Sequence, residues 1–302
     1  MASAANPLRS ILYALAANLS IAIAKLVAAL VTHSGSMMAE AIHSFADTGN
    51  QLLLLLGLKT ARRPPSPEHP LGYGKTIYFW SFIVAIMLFS MGGLYSLYEG
   101  WHKLMDPHPL NSPWIAIAVL VFAIIAEGLS LRGCIQEVNK ERYGRSFWRW
   151  FRETRSSALL VIFGEDLAAL LGLVLALFFV AMTMITGDPT WDAYGSISIG
   201  VLLVLIALFI GIEIKSLIIG QGVEPRIKAE MVAFLESQPG VDKVFNLLTL
   251  QLGADVMVAV KLKMNAQGDA AALVGQINEV EAAFKAAFPQ VVWRFFEPDL
   301  AD

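Results

Sequence analysis

The stretch Ser36–Gln51, SMMAEAIHSFADTGNQ, determines how the rest of the chain is interpreted. It begins an apolar segment that continues through Leu52–Leu58, yet it is itself rich in polar side chains. Spacings of three, four and three residues place these side chains on one face of a helix: Glu40, His43, Asp47 and Asn50. Ionisable groups are costly at membrane depth, so this face predicts an ion pathway, a proton relay or a metal site. A polar seam between packed helices is the alternative.

His43 and Asp47 are the strongest metal-ligand candidates in this stretch. A neutral imidazole and a carboxylate four residues apart on a helix can bind the same divalent ion. This pair suits Zn²⁺ and, less selectively, Mn²⁺, Fe²⁺ or Co²⁺.

The composition indicates a polytopic membrane protein. Of the 302 residues, 56% are hydrophobic and only 16% are charged, and the mean hydropathy is +0.60. The single cysteine, Cys134, excludes an intrachain disulfide and a cysteine-based metal cluster. The chain lacks the H-E-x-x-H metalloprotease signature, and its GED sequence at 164–166 is not a GxGD protease motif, so we expect no enzymatic activity.

Six mainly apolar segments have the length needed to cross a bilayer. They are residues 10–32, 36–59, 77–105, 113–135, 157–186 and 192–214. Lys and Arg are concentrated in the second and fourth connections and nearly absent from the others, which predicts that both termini are cytoplasmic. The Arg- and Trp-rich segment 145–155 of the fourth connection is typical of an interfacial helix, not of nucleic-acid binding.

The fifth span carries two further carboxylates at a depth in the membrane similar to that of His43 and Asp47 in the second span. At 1.5 Å per residue, His43 and Asp47 lie roughly 10–16 Å from the outer end, and Glu165 and Asp166 lie roughly 12 Å from the inner end. Glu165 shares its helix face with small residues that permit close helix contact. This favours Glu165 as the ligand without excluding Asp166.

Other polar residues in the spans have weaker assignments. Glu127, in the fourth span, is a candidate ligand, proton carrier or structural partner. Lys25, in the first span, reaches the depth of Glu40 and is expected to form an ion pair with it. Asp192 is expected to cap the last span.

The connection after the second span carries a possible entrance site. Its sequence at 64–75, PPSPEHPLGYGK, combines turn residues with Glu68 and His69. These two side chains can either dock a metal ion or remain solvated.

The chain changes character after about Val223. Helical patterns at 225–237 and 270–288 and strand patterns at 244–252, 256–264 and 291–296 give the order αββαβ. This order predicts a small α+β sheet with helices on one face. We therefore expect a transmembrane transport domain over 1–222 and a cytoplasmic domain over 223–302. Because no histidine follows His108, this second domain offers only carboxylates to a metal.

These features together resemble the cation diffusion facilitator family over essentially the whole chain. The resemblance rests on SMMAEAIHSFADTGNQ, on HPLGYGK at 69–75 and on the six spans followed by the αββαβ tail. GED followed by LAALLG resembles the zinc-transporter-nine-like branch. The resemblance implies an α-helical membrane protein with a six-helix bundle and a ferredoxin-like cytoplasmic domain. It also implies a homodimeric divalent-cation/proton antiporter with alternating access, embedded in lipid and without a cofactor.

The resemblance also implies ligands. His43 and Asp47 match the family's pair on the second helix. The family's fifth-helix histidine is missing, because Val161 and Ile162 stand four residues before Glu165 and Asp166. In the loop, His69 matches a family ligand while Tyr73 replaces its partner histidine. The expected function is export of Zn²⁺, or of Mn²⁺, Fe²⁺ or Co²⁺, from the cytoplasm across a bacterial inner membrane. A non-transporting membrane metal sensor or scaffold is the alternative.

Overall fold

A computed structural model describes residues 7–265 and 268–301, with side chains described from residue 18 onward. Up to residue 219 the described chain is entirely helical between its connections, and strands occur only beyond it. The membrane part consists of α1 (Pro7–Thr32), α2 (Gly35–Ala61), α3 (Thr76–Met87), a π-helical segment (Leu88–Leu94), α4 (Tyr95–Met105), α5 (Pro113–Arg142), α6 (Phe147–Glu153), α7 (Ser157–Thr186) and α8 (Thr190–Ile219). The tail consists of α9 (Pro225–Glu236), β1 (Val241–Leu252), β2 (Asp255–Met264), α10 (Ala270–Ala287) and β3 (Val291–Pro298).

Four helical runs among the described residues are long and apolar enough to cross a membrane. They are Thr76–Met105, Pro113–Arg142, Ser157–Thr186 and Thr190–Ile219. The apolar part of α1 whose side chains are described, Asn18–Thr32, is shorter. In α2, the polar face of Glu40, His43 and Asp47 interrupts the apolar sequence. The chain is therefore a helical, multi-pass membrane protein. Because of these polar side chains, α2 is not one of the four apolar runs.

Several helices extend past their predicted ends. The predicted fourth span stops at residue 135, whereas α5 continues to Arg142, because the charged sequence after the apolar run also favours a helix. The predicted last span, 192–214, lies inside the longer α8. The segment 145–155, predicted to be an interfacial helix, contains the shorter helix α6.

The chain divides into two compact units. The first contains Met1–Leu56, Trp80–Ser146 and Ala158–Glu213, and the second contains Gly57–Phe79, Phe147–Ser157 and Ile214–Asp302. In the first unit, α4 and α8 approach closely where glycines replace larger side chains. A Cβ atom added at Gly100 would lie 2.7 Å from the backbone nitrogen of Ile197, and one added at Gly200 would lie 2.7 Å from that of Leu97. Small residues at such crossings let two helix backbones pack directly.

Asp192 connects the start of α2 to α8. Its carboxylate accepts hydrogen bonds from the Ser34 hydroxyl at 2.6 Å and from the backbone nitrogens of Gly35 at 2.5 Å and Ser36 at 3.2 Å. The prediction that Asp192 caps the last span is therefore wrong, because the unpaired donors that it satisfies belong to the first turn of α2. Asp188 caps α8 instead, accepting from the Thr190 nitrogen at 2.9 Å.

The second unit contains a three-stranded sheet in the order β1-β2-β3, antiparallel between β1 and β2 and parallel between β2 and β3. Alternate residues of β2 are buried, and α9 and α10 cover that face with Met231, Leu235, Val280 and Phe284. The predicted αββαβ order is confirmed. β1 starts three residues before its predicted boundary of 244, because register shifts near Lys243 and Asn246 disturb the alternation that the prediction uses.

Candidate metal and proton site

A cavity of about 40 Å³ lies inside the first unit between α1, α2, α5 and α7. Its wall holds four carboxylates, those of Asp47, Glu127, Glu165 and Asp166. A single water needs roughly 10–15 Å³, so the cavity has room for an ion with some hydration. The structure thus brings together acidic residues from three helices that the sequence predicts to meet at one depth.

His43 and Asp47, the predicted ligand pair of α2, lie side by side, with the imidazole fully buried and the carboxylate at the cavity. His43 Nε2 lies 3.4 Å from Asp47 Oδ2. His43 Nδ1 and Asp47 Oδ1 are buried and have no hydrogen-bond partner among the described residues. Buried polar atoms are normally paired, so this pair retains free lone pairs for a proton or a metal ion.

The π-helical segment lies beside the His43 ring. A Cβ atom added at Gly92 would lie 3.7 Å from His43 Nδ1. A π-helical turn within an α-helix often marks a functional position. The sequence analysis did not identify this segment, although its paired glycines, Gly92 and Gly93, were a visible signal.

Glu165 and Asp166 both line the cavity, each with its own hydrogen-bond donor. The Asn50 amide donates to Glu165 Oε1 at 2.5 Å, and the Ser130 hydroxyl donates to Asp166 Oδ2 at 3.2 Å. Asn50 therefore contacts a candidate ligand and does not point into lipid. Ser130 is a contact that the sequence analysis missed, although it lies three residues after Glu127 and so on the same helix face.

Glu40 forms the predicted ion pair with Lys25. Lys25 Nζ lies 3.2 Å from Glu40 Oε2 and donates to the Ser44 hydroxyl at 2.7 Å. Glu40 does not line the cavity, because it is directed at Lys25. The polar face of α2 is thus divided, with Glu40 in an ion pair, Asp47 at the cavity and Asn50 on Glu165.

The described side chains do not form a closed metal site. No group of three His, Cys, Asp or Glu side chains among them is arranged closely enough to hold one ion. Asp47 and the α7 carboxylates line the same cavity, whereas His43 does not line it and reaches it only through Asp47. Ligation of one ion by His43, Asp47 and the α7 carboxylates therefore requires the two helices to move closer.

The loop candidates lie in the second unit. Glu68 and His69 are exposed, and the His69 ring stacks on Tyr73 with 4.5 Å between the ring centroids. Tyr73, which stands where the family has a second histidine, therefore contacts the His69 imidazole.

The fold and the cavity define a multi-pass integral membrane protein with four carboxylates around an internal cavity. A family model described as the cation efflux transmembrane domain matches residues 11–219. The chain belongs to this family, also called the cation diffusion facilitators, in its zinc-transporter-nine-like branch.

Named relatives share much of this sequence. The proton-coupled zinc antiporter SLC30A9, mitochondrial, of Xenopus laevis is 35% identical over 231 residues, which are 76% of this chain and 41% of that protein. The human protein of the same name is 34% identical over the same shares. The cation-efflux pump FieF of Escherichia fergusonii is 26% identical over 88% of this chain and 83% of its own. The chain spans less than half the length of the two antiporters.

Proposed function

We propose that this protein is a divalent-cation/proton antiporter that exports Zn²⁺ from the cytoplasm by alternating access. The observation that carries the proposal is the buried pair His43 and Asp47, with unpartnered ligand atoms, on a helix that shares a carboxylate-lined cavity with α7. The names of the SLC30A9 and FieF relatives support both the cation and the proton. Mn²⁺, Fe²⁺ and Co²⁺ are the other candidate ions, since a carboxylate-rich site suits them.

Proton coupling follows from the ligand chemistry. His and carboxylate groups bind a metal only when deprotonated, so protons and the cation compete for the same atoms. Histidine is suited to this competition because its ordinary pKa of about 6.5 lies near neutral pH. The proposed ligands are His43, Asp47, Glu165 and Asp166. Glu127 is proposed to assist from the cavity wall and Asn50 through its hydrogen bond to Glu165. Glu68 and His69 are proposed to meet the ion at the loop.

The proposed topology has six spans with both termini in the cytoplasm of a bacterial cell. The Lys- and Arg-rich connections support this orientation in the inner membrane. In this arrangement residues 1–222 transport the ion, and residues 223–302 form a ferredoxin-like cytoplasmic domain that joins two copies. An apolar row on the sheet face opposite the helices supports a homodimer: Leu248 and Phe295 are 62% and 58% exposed and align through Ala259.

Flux measurements in proteoliposomes test the proposal. Purified protein is reconstituted with an imposed pH gradient, and Zn²⁺, Mn²⁺, Fe²⁺ and Co²⁺ are offered separately. We expect Zn²⁺ movement that dissipates the gradient, and at least a tenfold loss of flux in Asp47→Ala and Glu165→Ala, because each variant removes a ligand. Asp188→Ala is the control, since its exposed carboxylate caps α8 away from the cavity.

Two results would contradict the proposal, the first by excluding transport and the second by excluding Asp47 as a ligand. The first is an absence of flux for every ion from a well-folded wild-type protein, which favours the sensor or scaffold alternative. The second is Asp47→Ala flux equal to that of Asp188→Ala.

A further inference from the structure

The spacing of the candidate ligands on α2 recurs at the end of α4. Glu40, His43 and Asp47 follow the pattern Glu-x-x-His-x-x-x-Asp, and so do Glu99, His102 and Asp106. Glu99 and His102 lie in the last turns of α4, and Asp106 is the residue that ends the helix. Residues spaced by three and four lie on one helix face, so this second set directs an imidazole and two carboxylates to one side of α4.

A cavity of about 240 Å³ in the first unit lies against this face. Three of the chain's five histidines line it: His33, His102 and His108. They come from three separate segments, the turn between α1 and α2, α4 itself and the connection to α5. Glu99 and Asp106 also line the cavity, and Asp106 Oδ1 lies 3.6 Å from His108 Nδ1.

The charges around this cavity favour a cation. Lys103 also lines it, but its ammonium group lies 3.2 Å from the Asp192 carboxylate and donates to the backbone oxygen of His33. Asp192 therefore balances the lysine, and the negative charges of Glu99 and Asp106 remain for a ligand. Imidazole nitrogens and carboxylate oxygens are the ligand set that Zn²⁺ takes in sites without cysteine.

We propose that the cavity of His33, His102 and His108 is a second divalent-cation site, selective for ions of the Zn²⁺ type. The exposed imidazoles of His102 and His108, together with Glu99 or Asp106, supply the ligands, and water completes the coordination. Side-chain rotation is required, because no three described ligand groups are arranged to hold an ion together. The role of the site as the outer exit for the transported ion rests on the proposed function, whereas cation binding there does not.

Zn²⁺ binding to the full-length protein in detergent tests this inference. Equilibrium dialysis is carried out on the wild type, on the double variant His102→Ala/His108→Ala and on Asp47→Ala. We expect each variant to bind one equivalent of Zn²⁺ fewer than the wild type. Asn111→Ala is the matched control, because Asn111 lies in the same α4–α5 connection outside the cavity lining and should leave the binding count unchanged.

The result that overturns the second site is a double variant with the Zn²⁺ count and affinity of the wild type. Gel filtration verifies that each variant remains folded, which we expect because both histidines are on the surface. Flux separates this outcome from failure of the proposed function. If flux requires Asp47 while the double variant binds Zn²⁺ normally, the transporter proposal stands and the second site falls. If the double variant loses one equivalent while the wild type shows no flux for any ion, the second site stands and the transporter proposal falls.

Discussion

Lys25 places a fixed positive charge next to the candidate cation site. Its side chain and that of Glu40 are both 0% exposed, so neither charge is stabilised by water. The Lys25 ammonium group also contacts Ser44, and Ser44 lines the cavity that contains Asp47. Glu40 is the counter-charge of Lys25, because one of its carboxylate oxygens lies 3.2 Å from the ammonium group.

We predict that Lys25→Met destabilises the protein far more than the double variant Lys25→Met/Glu40→Gln. Removal of one partner leaves a buried charge uncompensated, which typically lowers the free energy of unfolding by about 3–5 kcal/mol. Replacing both charged partners often changes the free energy of unfolding little. Thermal unfolding in detergent micelles measures the difference. A single variant at least as stable as the double variant would contradict the assignment of Glu40 as the partner of Lys25.

The residues of the site differ in how far the sequence reveals them. The pairing of Lys25 with Glu40 follows from helix depth alone, and it is observed. The contact between Asn50 and Glu165 was not predicted, because spacing along α2 identifies the helix face but not the neighbour on α7. The role of Asp192 was assigned to the wrong helix, because a residue near a helix start can also cap another helix that begins beside it.

At the scale of elements, the contact between α4 and α8 depends on glycine. We predict that Gly200→Ala lowers the thermal unfolding midpoint, because the new Cβ would lie 2.7 Å from the backbone nitrogen of Leu97, which cannot rotate away. Gly211→Ala in the same helix is the matched control, since no atom lies within 4 Å of the added Cβ. Thermal unfolding of the two purified variants compares them. Equal midpoints would show that the two helices do not pack this closely.

The elements themselves were largely predictable. Each apolar segment of bilayer length is helical, because helix formation satisfies the backbone hydrogen bonds inside a membrane, although the segment 77–105 is divided into α3, the π-helical segment and α4. The π-helical segment Leu88–Leu94 was not predicted, since its sequence also suits an ordinary α-helix and tertiary contacts decide between the two. In the tail, alternation located β2 closely, whereas bulges obscured the start of β1.

At the scale of the molecule, the first unit concentrates the chemistry. It contains both the carboxylate-lined cavity and the histidine-lined cavity. Both are lined by α1 and α2, whereas α5 and α7 line only the first and α4 only the second. The histidine-lined cavity could not be predicted from the sequence, because His33 and His108 are distant in the chain. The repeated Glu-x-x-His-x-x-x-Asp pattern was the one visible signal for it. Spacing within one helix can be derived from sequence, but convergence of separate segments requires the folded chain.

In the proposed mechanism, protons and the transported cation compete for His43 and Asp47. The pH dependence of Zn²⁺ affinity tests this competition most directly. It is measured by titration of the purified His102→Ala/His108→Ala variant, in which the proposed second site is removed and binding at His43 and Asp47 is observed alone. We expect the apparent affinity to rise by at least tenfold between pH of about 5.5 and about 7.5, because the ligands must lose protons before they bind the metal. Adding His43→Ala and Asp47→Asn to this background should weaken binding and flatten the dependence. An affinity that is independent of pH, or unchanged by these two substitutions, would contradict the account.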